Sequence, residues 1–149
     1  MPDFPIRHNA LILVGDGQKA LFLRNRGTPQ ALDLAVEEIL DGGFNPPTRE
    51  QGTDRPGRAM QSVGSARSAV EQTDWHWLEE QKFAGTIAEA LYRAALDNSF
   101  TELVIVAPPK ILGILRQTLH KLVTERIAGE LPKTLTTTPV DQIKRLLAA

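Results

Sequence analysis

Between Asp41 and Asp74, roughly 34 residues run with little apolar periodicity but with dense Gly, Pro and Arg. Connections longer than about 15 residues without structure of their own are uncommon in compact domains and mark functional or disordered segments. The centre reads Thr48-Arg49-Glu50-Gln51-Gly52-Thr53-Asp54-Arg55-Pro56-Gly57-Arg58, and the pattern continues to Ser62, Gly64, Arg67 and Ser68. Guanidinium groups among left-handed-capable glycines suit a partner's backbone or phosphates better than a core. A solvated surface insertion is the competing reading. The segment 45–70 is expected to be more mobile than the rest of the chain.

The runs on either side carry the fold. Asn9 to Val14 is almost continuously apolar, as a strand covered on both faces would be. Gly15-Asp16-Gly17-Gln18 is a turn signal, and Lys19 to Arg24 is a second apolar run, so the two read as a hairpin. After a turn at Arg24–Pro29, Leu32, Leu34 and Val36 alternate with Asp33, Ala35 and Glu37, the period of a half-buried edge strand. Trp75 to Leu96 reads as a helix with Phe83, Ile87 and Leu91 on one stripe, Asp74 as N-cap and Asp97-Asn98-Ser99 as stop. Glu102 to Ala107 is a short buried strand. Pro108-Pro109 opens a helix through about Leu119, with Ile111, Leu112, Leu115 and Leu119 inward. A short helical turn and a strand near Ile127–Leu131 follow. A last helix is capped by Thr138 and Pro139, with Val140, Ile143, Leu146 and Leu147 inward.

This order, β-β-β-α-β-α-β-α, implies one α/β domain over 1–149, built on a mixed five-stranded sheet with the long loop 41–74 as an insertion. Right-handed crossovers place the later strands beside the first and parallel to it.

With 42% hydrophobic and 23% charged residues and a formal net charge of -1, the chain is not a nucleic-acid binder by bulk charge. Positive charge gathers late: Lys110, Arg116, Lys121, Arg126, Lys133, Lys144 and Arg145 stand against Glu125, Glu130 and Asp141. The preceding helix is acidic, with Glu71, Asp74, Glu79, Glu80 and Glu89. Solvated helix faces account for such asymmetry, and a partner surface does as well. The absence of cysteine excludes disulfides, thiolate metal sites and cysteine nucleophiles. His8, His76 and His120 show no metal-ligand spacing. No cofactor or metal is expected. Met1–His8 lacks a signal-peptide apolar region, and no run is long enough to cross a bilayer, so a cytoplasmic chain without a membrane partner is expected.

Several sites are open to two readings. Arg55 and Arg58 flank the Pro56-Gly57 turn and would project toward a phosphate or carboxylate; alternatively, Asp54 ties them back onto the domain. Lys110 follows a strand's carboxyl end at a helix N-terminus, where anions are favoured, yet Pro108 and Pro109 remove two amide donors. Asp16 reads as a turn residue, because a two-metal nuclease needs several converging acids. Trp75 and Trp77 could stack on bases, although anchoring the returning loop against the core is the simpler expectation. Gly113 reads as a position of close helix–sheet packing. His120 lies near a helix C-terminus, where a cation complements the dipole.

Four motifs carry a family resemblance: Leu13-Val14-Gly15-Asp16-Gly17-Gln18-Lys19-Ala20-Leu21-Phe22, Asp54-Arg55-Pro56-Gly57-Arg58, Glu80-Gln81-Lys82-Phe83-Ala84, and Ala107-Pro108-Pro109-Lys110-Ile111-Leu112-Gly113-Ile114-Leu115-Arg116. From about Asn9 to Leu147 the chain resembles the bacterial host attachment family, whose name records a phenotype. Its fold is also similar to the middle domain of archaeal and eukaryotic release factors and of the ribosome-rescue factor Pelota, distantly like ribonuclease H. In catalytic release factors the loop after the third strand holds a Gly-Gly-Gln tripeptide that orients water at the peptidyl-tRNA ester. Here that loop begins Gly42-Gly43-Phe44, and Gln51 stands further on. The resemblance therefore implies a non-catalytic module. Its expected partner is RNA or the ribosome, met through Arg49, Arg55, Arg58, Arg67 and Lys110 around the Gly42, Gly43, Pro56 and Gly57 turns. The alternatives are an ester hydrolase without the usual tripeptide, or a regulator of attachment that binds another protein.

Overall fold

The computed structural model describes residues 4–41 and 65–148, with backbone only for 65–76. The strands are β1 (Leu11–Gly15), β2 (Lys19–Asn25), β3 (Leu34–Asp41), β4 (Leu103–Val106) and β5 (Ile127–Leu131). The helices are α1 (Ser65–Leu96), α2 (Pro109–Thr118), α3 (Lys121–Thr124) and α4 (Val140–Ala148). The sheet order is β3-β2-β1-β4-β5. β1 pairs antiparallel with β2 and parallel with β4. β2 pairs antiparallel with β3, and β4 parallel with β5. This is the mixed five-stranded α/β sheet that the apolar runs imply.

The continuous runs behave as the physics requires. Successive side chains of a strand point to opposite faces, and both faces of the central strands are covered. Leu11, Leu13, Leu103 and Ile105 join the core under α1, α2 and α3. Ile12, Val14, Val104 and Val106 join a second core with Ile143 and Leu147 of α4, together with Ile6, Leu32 and Leu135. The two cores sandwich the sheet.

Three details depart from expectation. First, α1 begins at Ser65 and not at Trp75, so Asp74 lies inside the helix and residues 65–74 are not loop. Second, Val36 does not turn inward. It is 44% exposed and Ile39 55%, because β3 lies at the sheet edge and a bulge at Glu37 shifts its register against Phe22 and Leu23. Third, Leu146 is 38% exposed, leaving Ile143 and Leu147 as the buried contacts of α4.

The stop of α1 is as its sequence suggests. Asn98 takes a left-handed φ of 56°, its N–H bonds the Ala95 carbonyl at 3.0 Å, and the Ser99 N–H bonds the Ala94 carbonyl at 2.9 Å. Together these two bonds close the helix in the manner of a Schellman cap. Arg126 then donates to the carbonyls of Ala95 (3.2 Å) and Phe100 (2.7 Å) and lies over the Phe100 ring. At the same edge of the sheet Asn25, fully buried, donates to the carbonyls of Ile6 and Arg7 and accepts from the Gly27 and Asp33 amides.

Candidate functional site

Strand order reverses between β1 and β4, since the chain leaves β1 toward β2 and leaves β4 toward β5. In open α/β sheets the crevice outside the carboxyl ends at such a switch point is where ligands bind. The residues delivered there are the Gly15-Asp16-Gly17 turn, the Ala107–Lys110 junction, Thr136, and Glu80 from α1. β3 ends at the same edge, because Asp41 stands opposite Lys19 in register. β3 therefore ends beside this crevice, at the residue that precedes the Arg-bearing segment in sequence.

Asp16 is a turn residue. One carboxylate oxygen accepts from the Gln18 and Lys19 amides, both at 2.7 Å, and the other accepts from the Thr136 hydroxyl at 2.6 Å. Thr136 is itself buried. The carboxylate pins the β1–β2 hairpin to the segment that leads into α4, a contact across 120 residues of sequence.

Glu80, read in sequence only as part of an acidic helix and of a family motif, has a place in the crevice. Its Oε1 is shut off from water and takes no directional hydrogen bond, yet Lys110 Nζ stands 2.7 Å away as its counter-ion. The glutamate lies against Gly17 so closely that a Cβ there would fall 2.6 Å from Glu80 Cγ and 2.8 Å from Oε2. Gly17 is therefore required for space rather than for φ, as no glycine among the described residues has a positive φ. Side chains of Glu80 and Lys110 are 25% and 58% exposed, so the pair sits at the mouth of the crevice and not in the core.

The other late cations are largely engaged. Arg116 donates to Glu130 Oε1 at 3.1 and 2.6 Å, and that bond, with the carboxylate's charge, raises the guanidinium pKa above its ordinary value. Arg126 is spent on carbonyls, and Lys121 stands 4.0 Å from Glu125. Lys133, Lys144 and Arg145 have no ion pair among the described residues.

Of the sequence-predicted site residues, Lys110 reaches the crevice and is ion-paired there. Arg67 lies on the first turn of α1, where only backbone is described. Arg49, Arg55, Arg58, Gly42, Gly43, Pro56 and Gly57 lie outside the described residues, as does most of the 45–70 stretch read as mobile. Trp77 does not anchor against the core, since it is 47% exposed; the side chains of Trp75 and His76 lie outside the described residues. His120 follows the C-terminal end of α2, as its position suggests, and there caps the start of α3, its Nδ1 accepting from the Leu122 amide at 3.0 Å. Gly113 has nothing within 4 Å of a notional Cβ, so it serves no close packing. No three His, Asp or Glu side chains gather into a metal-binding group among the described residues. None of the helices is long and apolar enough to cross a membrane in the described parts of the chain.

The sequence model of Bacterial archaeo-eukaryotic release factor family 12 matches residues 9–147. The chain belongs to that family, a release-factor-like group whose name points toward translation. No curated protein matches it.

Proposed function

We propose that this release-factor-like chain is a non-catalytic binding module that associates with RNA or the translation machinery through its Arg-bearing segment. The observation that carries the reading is the tripeptide Gly42-Gly43-Phe44 at the start of the loop after β3. A phenyl ring has no polar atom with which to orient water at an ester, whereas two glycines still allow a turn and Arg49, Arg55 and Arg58 still offer planar forks to phosphate. The geometry around the loop supports it. β3 ends at the carboxyl edge of the sheet and α1 begins after the segment, so the segment's entry point lies on that edge. The resemblance to host attachment proteins fits the same reading, with the phenotype downstream of a binding event in the cytoplasm.

The test is binding of a labelled RNA oligonucleotide across a salt series, for the parent chain and for Arg55→Ala/Arg58→Ala. Loss of two phosphate contacts on a single strand should flatten the slope of log K against log salt by about 1.4. An unchanged slope with a lowered melting temperature would assign the arginines to internal pairing with Asp54. Turnover of peptidyl-tRNA abolished by Gln51→Ala would replace the binding reading with the hydrolase one.

A further inference from the structure

We infer that Glu80 competes with the ligand's phosphate for Lys110: it holds Lys110 in an ion pair that must open before Lys110 can engage a polyanion. The inference rests on the RNA reading above and deepens it at the crevice. Three observations carry it. Lys110 Nζ lies 2.7 Å from Glu80 Oε1, and that oxygen is buried without any directional hydrogen bond, so the ammonium is its neutralising partner. The carboxylate is seated by shape, in a slot that exists because Gly17 lacks a side chain. The lysine is the more accessible member, 58% against 25%, so an incoming phosphate reaches the cation first.

The position adds consequence. Lys110 opens α2 immediately after the carboxyl end of β4, and Glu80 belongs to the helix that continues from the Arg-bearing segment. A phosphate that takes Lys110 leaves Glu80 without its counter-ion in the slot, and so loosens α1 where the helix meets the sheet. Occupation of the crevice and the seating of α1 are thereby coupled, and the coupling is reciprocal.

The predicted signature lies in the salt dependence. In the parent chain, forming the Lys110–phosphate contact releases a cation from the RNA while the abandoned Glu80 takes one up, so the two cancel. Glu80→Gln removes the uptake. It should tighten binding of a fluorescein-labelled single-stranded RNA by about two- to fivefold, the range set by the modest worth of an exposed ion pair. The salt slope should steepen by about 0.7, one single-strand phosphate contact. Glutamine is isosteric with glutamate and keeps the slot filled, and circular dichroism checks the fold. In a Lys110→Ala background the same substitution should change neither quantity. Glu79→Gln, which removes an equal charge one residue away, is the control for bulk electrostatics. Gly17→Ala, which expels Glu80 by another route, should tighten binding in the same direction. An equal effect of Glu79→Gln, or a gain that persists without Lys110, would overturn the inference while leaving RNA binding intact. Absence of RNA binding by both the parent and Glu80→Gln would overturn the underlying reading and this one together. Binding by Glu80→Gln alone would support it.

Discussion

Gly17→Ala is the sharpest probe of how the crevice is assembled. The added methyl would lie 2.6 Å from Glu80 Cγ, 2.8 Å from Oε2 and 3.1 Å from Cδ, and carbon atoms do not pack that closely. The backbone itself tolerates alanine, because Gly17 does not sit at positive φ; in a free chain the change would even stabilise by about 0.4–1 kcal/mol through lost unfolded-state entropy. The clash is with a side chain that can swing away, so the cost is bounded by what Glu80 gives up. That is an exposed-rim ion pair worth about 0–1 kcal/mol, plus the loss of close packing in the slot and the repositioning of α1 against the turn. A net destabilisation of about 1–2 kcal/mol follows. For a chain of this size about 2–4 °C of melting temperature corresponds to each kcal/mol. The decisive measurement is a double-mutant cycle by thermal or urea unfolding. In a Glu80→Ala background the slot is empty, and Gly17→Ala should be neutral or stabilising, a coupling of about 1 kcal/mol or more. Equal costs in both backgrounds would refute the argument, since they would place the requirement for glycine in the backbone or in another neighbour.

Three further substitutions separate glycines and cations by the work their surroundings give them. Gly27→Ala should destabilise by more than about 2 kcal/mol by urea unfolding, because its Cβ would fall on the Ala31 carbonyl oxygen, part of a hydrogen-bonded turn that cannot swing aside. Gly113→Ala should raise the melting temperature, with a gain of about 0.5–1 kcal/mol, since the position is inside α2 and a methyl there meets nothing within 4 Å. Arg126→Met should cost about 2–3 kcal/mol in chemical unfolding, as it strips charge-assisted donors from the Ala95 and Phe100 carbonyls; a cost below about 0.5 kcal/mol, the level of an ordinary surface change, would show that water replaces them.

What could be read in the sequence followed from burial. β1 and β4 were legible because a strand covered on both faces must be apolar at every position, and Leu11–Val14 and Leu103–Val106 are. The stripe of α1 from Phe83 to Leu91 was legible for the matching reason in a helix. Its first ten residues were not. Ser65 to Asp74 contains Ala66, Arg67, Ala69, Glu71 and Gln72, most of them good helix formers, but Val70 alone supplies a large apolar side chain, so no periodic face announces a helix. The Glu80–Gly17 contact was hidden by distance along the chain. A glycine in a β-turn already has a local explanation, and nothing local says that a glutamate 63 residues later needs the space. Gly113 failed in the opposite direction, since a packing role was assigned to a glycine that faces open space.

The electrostatics of the described chain bear on where affinity for a polyanion can arise. The late excess of Lys and Arg looks in sequence like a basic half, yet the fold spends much of it internally. Arg116 goes to Glu130, Arg126 to helix-end carbonyls, Lys121 toward Glu125, and Lys110 to Glu80. Earlier in the chain Arg24 is likewise held, bonded to both Glu37 oxygens and to the carbonyls of Asn9 and Ser99. With a net charge of -1 there is no broad positive field to capture nucleic acid from a distance. On the proposed reading, affinity comes from a few cations placed together, and the topology sets the end of β3, after which the Arg-bearing segment follows in sequence, at the same edge as Lys110 at the switch point between β1 and β4. Of these, Lys110 is already matched by a carboxylate held in a shaped slot. On the reading proposed above, two anions compete for one ammonium at the crevice, and a change at Gly17 or Glu80 alters that competition without touching the ligand.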